Sequence, residues 1–262
     1  MIRNLFLAAI TVLTLAGIYP AEAVSLTEID RLIADGDTAE KLAGIESQVR
    51  AAIQQSPASG ELYLRLAQTY YNWGKLSDGD GKRDYFSRCL AQAEKAVSLQ
   101  DRFAAGYYIK GVCLGRLGEI DGIWESLRAI DPFKQTMETA LKIDPGVCHG
   151  GPHRALGRFY YQLPFILGGS FDKSITHLRE AVRLGPRYPE NYFFLAESYY
   201  AKGEYPLARE ALTALMKNFP ESRGPREDLE VPRIRERARQ LLGKIETEAP
   251  SGHFHAQGTE NP

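Results

Sequence analysis

The chain has no excess of charge of either sign. Its 32 lysines and arginines stand against 33 aspartates and glutamates, leaving a formal net charge of −1. That argues against nucleic acid as a partner, which requires a basic face of some extent. Recognisable catalytic signatures are also missing: there is no G-x-S-x-G and no H-E-x-x-H. Gly111, Gly115 and Gly118 have the wrong spacing for a dinucleotide loop, and Gly168-Gly169-Ser170 lacks the lysine of a phosphate loop. Cys148-His149 with His153 falls short of the three or four ligands that zinc requires. His253 and His255 offer at most weak scavenging of metal. Carboxylates are numerous, but no pair is set in an apolar frame. No enzyme, cofactor or metal centre is therefore expected.

No apolar run reaches the length of a membrane span. Residues 5–18 make a run of 14, against about 20 needed for a spanning helix. Arg3 precedes this run and Ala21-Glu22-Ala23 follows it, the layout of a secretory signal. Cleavage after Ala23 and export to a bacterial periplasm are expected, with an uncleaved anchor as the alternative. No cysteine lies near Ala23, so a lipid anchor at that point is excluded. Cysteine is scarce, and three in an exported chain leave one unpaired. A Cys89–Cys113 bridge is compatible with helices that touch across neighbouring repeats, but a small, buried, unbonded Cys89 is the favoured reading.

What is present is a repeat. Residues 189–220 carry Tyr192, Leu195, Ala196 and Tyr199, then Gly203, then Ala208 and Leu212, and close on Pro220. This is the helix–turn–helix spacing of a tetratricopeptide repeat. One such unit cannot bury its own apolar faces, so stacked neighbours are required. Residues 151–186 repeat the pattern through Leu156-Gly157, Tyr160, Ser174, Leu178, Ala181 and Pro186, with five extra residues near 163–167. Residues 104–145 repeat it through Tyr107, Gly111, Met137, Ala140 and Pro145, with about ten extra around 120–130. Residues 60–101 repeat it through Tyr63, Ala67, Tyr70, Phe86 and Ala96, also with about ten extra, including the turn-rich Ser77-Asp78-Gly79-Asp80-Gly81.

The fold class expected is therefore an all-α, tetratricopeptide-like solenoid over residues 24–245, with inserted loops or helix extensions. A helix pair at 24–58 opens it, with a stripe of Ile45, Val49, Ala52 and Ile53. A capping helix at 225–245 closes it. That helix is apolar at Ile234, Ala238, Leu241, Leu242 and Ile245, and carries Arg233, Arg235, Arg237 and Arg239 on the opposite face, read as solvated with an anion or partner patch as the alternative. Residues 246–262 hold little apolar content and are expected to be a disordered tail.

First helices line the inner face of such an array. Counting from each first aromatic places Leu64, Gln68, Tyr71 and Asn72 there, then Tyr108, Val112, Gly115 and Arg116. The later repeats add Arg154, Arg158, Tyr161 and Gln162, then Phe193, Glu197, Tyr200 and Ala201. Aromatics with a few polar groups are the composition of a ligand pocket, and equally of a face packed under inserted loops. The candidate binding residues are Tyr71, Tyr108, Arg154, Arg158, Tyr161, Phe193, Glu197 and Tyr200.

Three segments carry a more specific likeness: Ala140-Leu141-Lys142-Ile143-Asp144-Pro145, His153-Arg154-Ala155-Leu156-Gly157-Arg158-Phe159-Tyr160-Tyr161, and Leu163-Pro164-Phe165-Ile166-Leu167-Gly168-Gly169-Ser170. Through them residues 60–245 resemble the TatT component family of TRAP transporters and the related regulator of microtubule dynamics family. The resemblance implies a non-enzymatic periplasmic protein that associates with a substrate-binding protein and oligomerises as a trimer. It also implies a cavity for a small hydrophobic or organic-acid ligand. A general envelope scaffold that grips a peptide or partner protein is the alternative.

Overall fold

The computed structural model describes residues 25–121, 123–220 and 230–248, without the side chains of 123–126 and 230. The proposed signal at 1–23 and most of the proposed tail lie outside the described residues. Among the described residues every regular element is helical: α1 (Leu26–Ala34), α2 (Ala39–Gln55), α3 (Gly60–Leu76), α4 (Gly79–Leu99), α5 (Ala104–Ile120), α6 (Ile123–Ile143), α7 (Val147–Gln162), a 3-10 turn (Phe165–Leu167), α8 (Phe171–Leu184), α9 (Pro189–Lys202), α10 (Tyr205–Asn218) and α11 (Glu230–Glu248). Helices pack pairwise in chain order, α3 on α4 through α9 on α10, and each pair packs on the next. This is the solenoid that the repeat spacing predicts.

Small residues set how closely each pair approaches. Ala67, Ala96, Ala140, Ala181 and Ala196 are fully buried. A Cβ added at Gly157 would stand 2.5 Å from Leu178 Cγ, and one at Gly111 would stand 2.6 Å from Met137 Cε. The facing side chains thus occupy the volume that the glycines leave, at the density of a crystal interior. Pro189 and Pro206 open α9 and α10, where the missing N–H has no helical partner to lose. Gly203, at φ 83°, ends α9 in the left-handed region.

The long insertions are helix rather than loop. The α9 and α10 helices have 14 residues each, whereas α3 and α5 have 17 and α4 and α6 have 21. Three added residues on the first helix and seven on the second account for the ten extra residues. The turn-rich Gly79-Asp80-Gly81 is the first turn of α4.

Three expectations are corrected. Cys89 is not an unbonded core thiol: it is joined to Cys113, linking α4 to α5 with Cα atoms 6.0 Å apart. The contact between the second helix of one repeat and the first helix of the next brings the two residues into range. The tail does not begin at 246, because α11 continues to Glu248, where Tyr200 donates a hydrogen bond from its hydroxyl to Oε2. Nor is the arginine face of α11 simply solvated. Arg235 donates from Nη1 to the carbonyls of Met216 (2.9 Å) and Phe219 (2.6 Å), capping the end of α10.

Replacing Cys89 and Cys113 together by alanine is expected to lower unfolding free energy by roughly 3 kcal/mol, because 24 residues separate them and the released loop regains chain entropy. Urea unfolding of parent and variant measures this, and an unchanged midpoint contradicts it.

Candidate functional site

The inner face of α3, α5, α7 and α9 lines a half-open cavity of about 740 Å³, within the range of small-molecule pockets. Tyr71 and Lys75 come from α3, and Tyr108, Val112, Gly115, Arg116 and Glu119 from α5. Arg154, Arg158 and Gln162 come from α7, and Glu190 and Phe194 from α9. The insertions wall the groove: Leu127, Ala129, Ile130 and Phe133 of the lengthened α6 form one side, and Leu163, Pro164 and Leu167 beside the 3-10 turn form another. Phe133 and Phe159 stack at 5.0 Å within this apolar part.

Arg154 sits in the lining with only 7% of its surface exposed. Its Nη2 donates to Tyr108 Oη at 2.9 Å. Its Nη1 donates to Asn191 Oδ1 at 3.1 Å and reaches the His149 carbonyl at 3.4 Å. The Tyr188 ring lies 4.1 Å from the guanidinium carbon, and the Glu190 carboxylate stands 3.9 Å from Nε. Burial pushes the hydroxyl of Tyr188 well above its usual value, with Glu190 adding to the effect. Burial likewise raises Tyr108. Both phenols therefore stay protonated near neutral pH.

One end of this arrangement is strained. Cys148, His149 and Gly150 follow each other at φ 51°, 57° and 72°, a left-handed turn before the right-handed course of α7. Left-handed backbone is disfavoured for residues other than glycine, by about 1–3 kcal/mol each. It aims the His149 carbonyl at both Arg154 and Asn191 Nδ2 (3.2 Å). Gly185 admits this approach, since a Cβ there would stand 2.2 Å from the His149 oxygen. Asn191 Nδ2 also lies within hydrogen-bond distance of the carbonyls of Ala181 (2.8 Å) and Gly185 (3.0 Å).

The remaining arginines form a linked group. Arg158 Nη1 pairs with Glu197 Oε2 at 2.8 Å, and Arg237 of α11 reaches Glu197 Oε1 at 3.4 Å. Arg158 lies between the rings of Tyr161 (4.7 Å) and Phe194 (4.3 Å), while Arg237 lies over Phe193 (4.2 Å). Burial lowers Arg158 from its ordinary value against the pull of Glu197. Arg116 pairs with Glu119 (2.9 Å) and donates to Tyr71 Oη (3.3 Å). Five cationic side chains line the cavity with the carboxylates of Glu119 and Glu190, and Glu197 behind them pairs with Arg158 and Arg237. In a chain of net charge −1, this local surplus favours a ligand that carries negative charge.

The eight candidate residues divide accordingly. Tyr71, Tyr108, Arg154 and Arg158 line the cavity. Tyr161, Phe193 and Glu197 stand behind it and seat the arginines. Tyr200 is taken by Glu248. At the opposite end of the array, Leu64 is buried and Asn72 donates to the Ile33 carbonyl (3.0 Å), because α1 packs on α3. Repeat counting missed Tyr188, Glu190, Asn191 and Arg237. Tyr188 lies in an inter-repeat turn and Arg237 in the capping helix, where the register of inner positions does not extend. Among the described residues no group of three His, Cys, Asp or Glu side chains could hold a metal ion, and no helix is long and apolar enough to cross a membrane.

Residues 25–164, more than half of the chain, match the family model described as regulator of microtubule dynamics protein 1-3. The chain belongs to the regulator of microtubule dynamics family. Residues 119–247 match the model of the TRAP transporter T-component, and the two matches share residues 119–164, where α7 and its arginines lie. Regulator of microtubule dynamics protein 3 of Mus musculus is 31% identical over 100 residues, 38% of this chain and 21% of that protein. Its Rattus norvegicus counterpart is 30% identical over the same shares. The chain thus spans about a fifth of the length of these curated relatives. Among solved structures, TTC0263, a thermophilic tetratricopeptide protein of Thermus thermophilus, superposes with a TM-score of 0.63 at 19% identity, covering 83% of this chain and 99% of that one. Pseudomonas aeruginosa pilF superposes at 0.53 and 15% identity, covering 84% and 89%. These likenesses establish the tetratricopeptide fold of this family member.

Asn191→Ala is expected to cost about 2 kcal/mol, because it removes a fully buried amide and leaves carbonyl partners without a donor. Thermal or urea unfolding measures it, and a variant as stable as the parent contradicts the role given to Asn191.

Proposed function

We propose that this protein is a non-enzymatic periplasmic binding component of TRAP-type solute uptake. In this reading it holds a small organic acid in its cavity and docks a periplasmic substrate-binding protein. The binding unit is the single solenoid of residues 24–245 with the last turn of α11 added, and residues 1–23 direct export. The observation that supports the reading is the cleft itself: a recess with apolar walls from α6 and the 163–167 segment, lined by the buried Arg154 and the half-buried Arg116 and Arg158. An organic acid matches both halves, its carboxylate accepting from guanidinium donors and its body lying against Phe133, Phe159 and Leu167. The match of residues 119–247 to the T-component supports the transport setting. The Cys89–Cys113 bridge suits an oxidising compartment.

A separate observation favours a protein partner, and with it the scaffold reading. Phe165 and Ile166 are 70% and 91% exposed on a 3-10 turn whose backbone is fastened by Gly168 N–H to Phe165 O and Ser170 N–H to Tyr160 O. Exposed apolar side chains on a held turn suit a docking contact.

Thermal-shift and calorimetric titration with a panel of small carboxylates is expected to find an acid that stabilises the protein. Arg158→Ala should weaken that acid about tenfold or more, the effect of losing a charged hydrogen bond. Absence of any stabilising acid, together with a bare chain in native mass spectrometry, contradicts the ligand reading. In a periplasmic pull-down, Phe165→Ser/Ile166→Ser is expected to lose the substrate-binding protein that the parent recovers, and failure of the parent to recover one contradicts the transport reading.

A further inference from the structure

The charges of the cavity are not matched evenly. Arg116 pairs with Glu119 at 2.9 Å and Arg154 has Glu190 at 3.9 Å, one carboxylate for each guanidinium. Arg158 and Arg237 share a third. Glu197 accepts from Arg158 Nη1 at Oε2 (2.8 Å) and from Arg237 Nη2 at Oε1 (3.4 Å). Two cations thus stand over one anion, where side chains of α7, α9 and α11 come together. The fifth cation, Lys75, stands over the Tyr71 ring of its own helix, α3.

Both guanidiniums have donors to spare. Among the described residues Nε and Nη2 of Arg158, and Nε and Nη1 of Arg237, have no hydrogen-bond partner. Both side chains line the cavity. The rings of Tyr161 and Phe194 hold Arg158 in place, and Phe193 holds Arg237. The two forks are therefore set before a ligand arrives, as paired hydrogen bonds to a carboxylate require. Burial, opposed by Glu197 and reinforced by Arg237, keeps Arg158 below its ordinary value. A further anion beside it is favourable for the same reason.

One more negative charge completes the cluster at two cations and two anions. A second added charge would be left unpaired against apolar walls, and burying such a charge is costly. Because the Glu197 carboxylate already spans the two guanidiniums, another group of its size can span them from the cavity side. Helix α11 packs on α9 and α10 but makes no backbone contact with α7. A carboxylate shared by Arg158 and Arg237 would join those two helices directly.

We propose, on the reading of the cavity as an acid-binding pocket, that Arg158 and Arg237 jointly hold the carboxylate of a singly charged acid with an apolar body. Glu197 sets the limit of one charge, and the bound acid fastens α11 to α7.

Octanoate and hexylmalonate test this, because they share one carbon chain and hexylmalonate carries a second carboxylate on the same carbon as the first. Calorimetric titration of the full chain above neutral pH, where both probes are fully ionised, is expected to show octanoate bound about tenfold or more tightly than hexylmalonate. Arg237→Ala should weaken octanoate about tenfold. The melting temperature of the free variant should match the parent, since this side chain is half-exposed. Glu197→Gln should shift the ratio of the two affinities about tenfold towards hexylmalonate, because two cations then face two carboxylates. A merely supporting Glu197 would weaken both acids alike. Hydrogen exchange in α11 should slow when octanoate saturates the parent, and not when it saturates Arg237→Ala.

Equal octanoate affinity in parent and Arg237→Ala overturns the joint arginine site, and an unchanged ratio in Glu197→Gln overturns the charge limit. Unchanged exchange in α11 overturns the fastening. Failure of octanoate while other acids of the panel bind overturns the joint site and leaves the pocket reading standing, whereas failure of every acid overturns both.

Discussion

A guanidinium shut away from water must find its hydrogen-bond partners within the protein, and Arg154 imposes this requirement on the centre of the solenoid. Its partners come from three repeats: Tyr108 on α5, the His149 carbonyl at the start of α7, and Asn191 on α9. The requirement explains why the backbone tolerates a left-handed turn at Cys148 and His149. It also explains why the inter-repeat turn after α8 carries a tyrosine whose face covers the charge. Without these contacts a buried cation would be strongly destabilising. With them, neighbouring repeats are joined by polar bonds of defined direction as well as by apolar packing.

The second determinant is the unequal length of the helix pairs. A uniform array of 14-residue helices, the length of α9 and α10, leaves an open groove. Lengthening α5 and α6 brings Leu127, Ala129 and Ile130 over the inner face, and the five residues after α7 place Leu163, Pro164 and Leu167 beside it. The groove deepens because the side chains it gains there, Leu127, Ala129, Ile130, Leu163, Pro164 and Leu167, are apolar and sit on or beside helices fixed by the small-residue contacts beneath. At the far end α11 does more than cap. Arg235 satisfies the last carbonyls of α10, and Arg237 extends across to Glu197, so the terminal helix contributes charge to the pocket.

Much of the fold was legible in the chain because repeat spacing is a local property. Tyr192, Ala196, Gly203 and Ala208 specify one helix–turn–helix by their intervals alone, and the earlier repeats follow by comparison. The candidate site was legible in part. Tyr108, Arg154 and Arg158 follow from the periodicity of first helices, which points every fourth residue inward. Tyr161, Phe193 and Glu197 share that periodicity but serve as supports, since whether an inward residue meets solvent or a neighbouring side chain depends on what lies across from it. For Cys89 and Cys113 the repeat pattern named the two helices that touch, but only their packing brought the Cα atoms to 6.0 Å and decided the bond.

The sequence by itself determined the helical repeats, their order, the positions of the small residues that let them stack, and the inward register of the arginines. These depend on intervals of three and four residues, which the chain carries openly. Tertiary structure alone decided which residues wall the groove, that Tyr188 and Arg237 join the site, and that His153 meets His177 rather than His149. The contacts behind those outcomes join residues far apart in the chain, 24 positions for His153 with His177 and 40 for Glu197 with Arg237. Such distances are set by how whole helices pack, which no local pattern records.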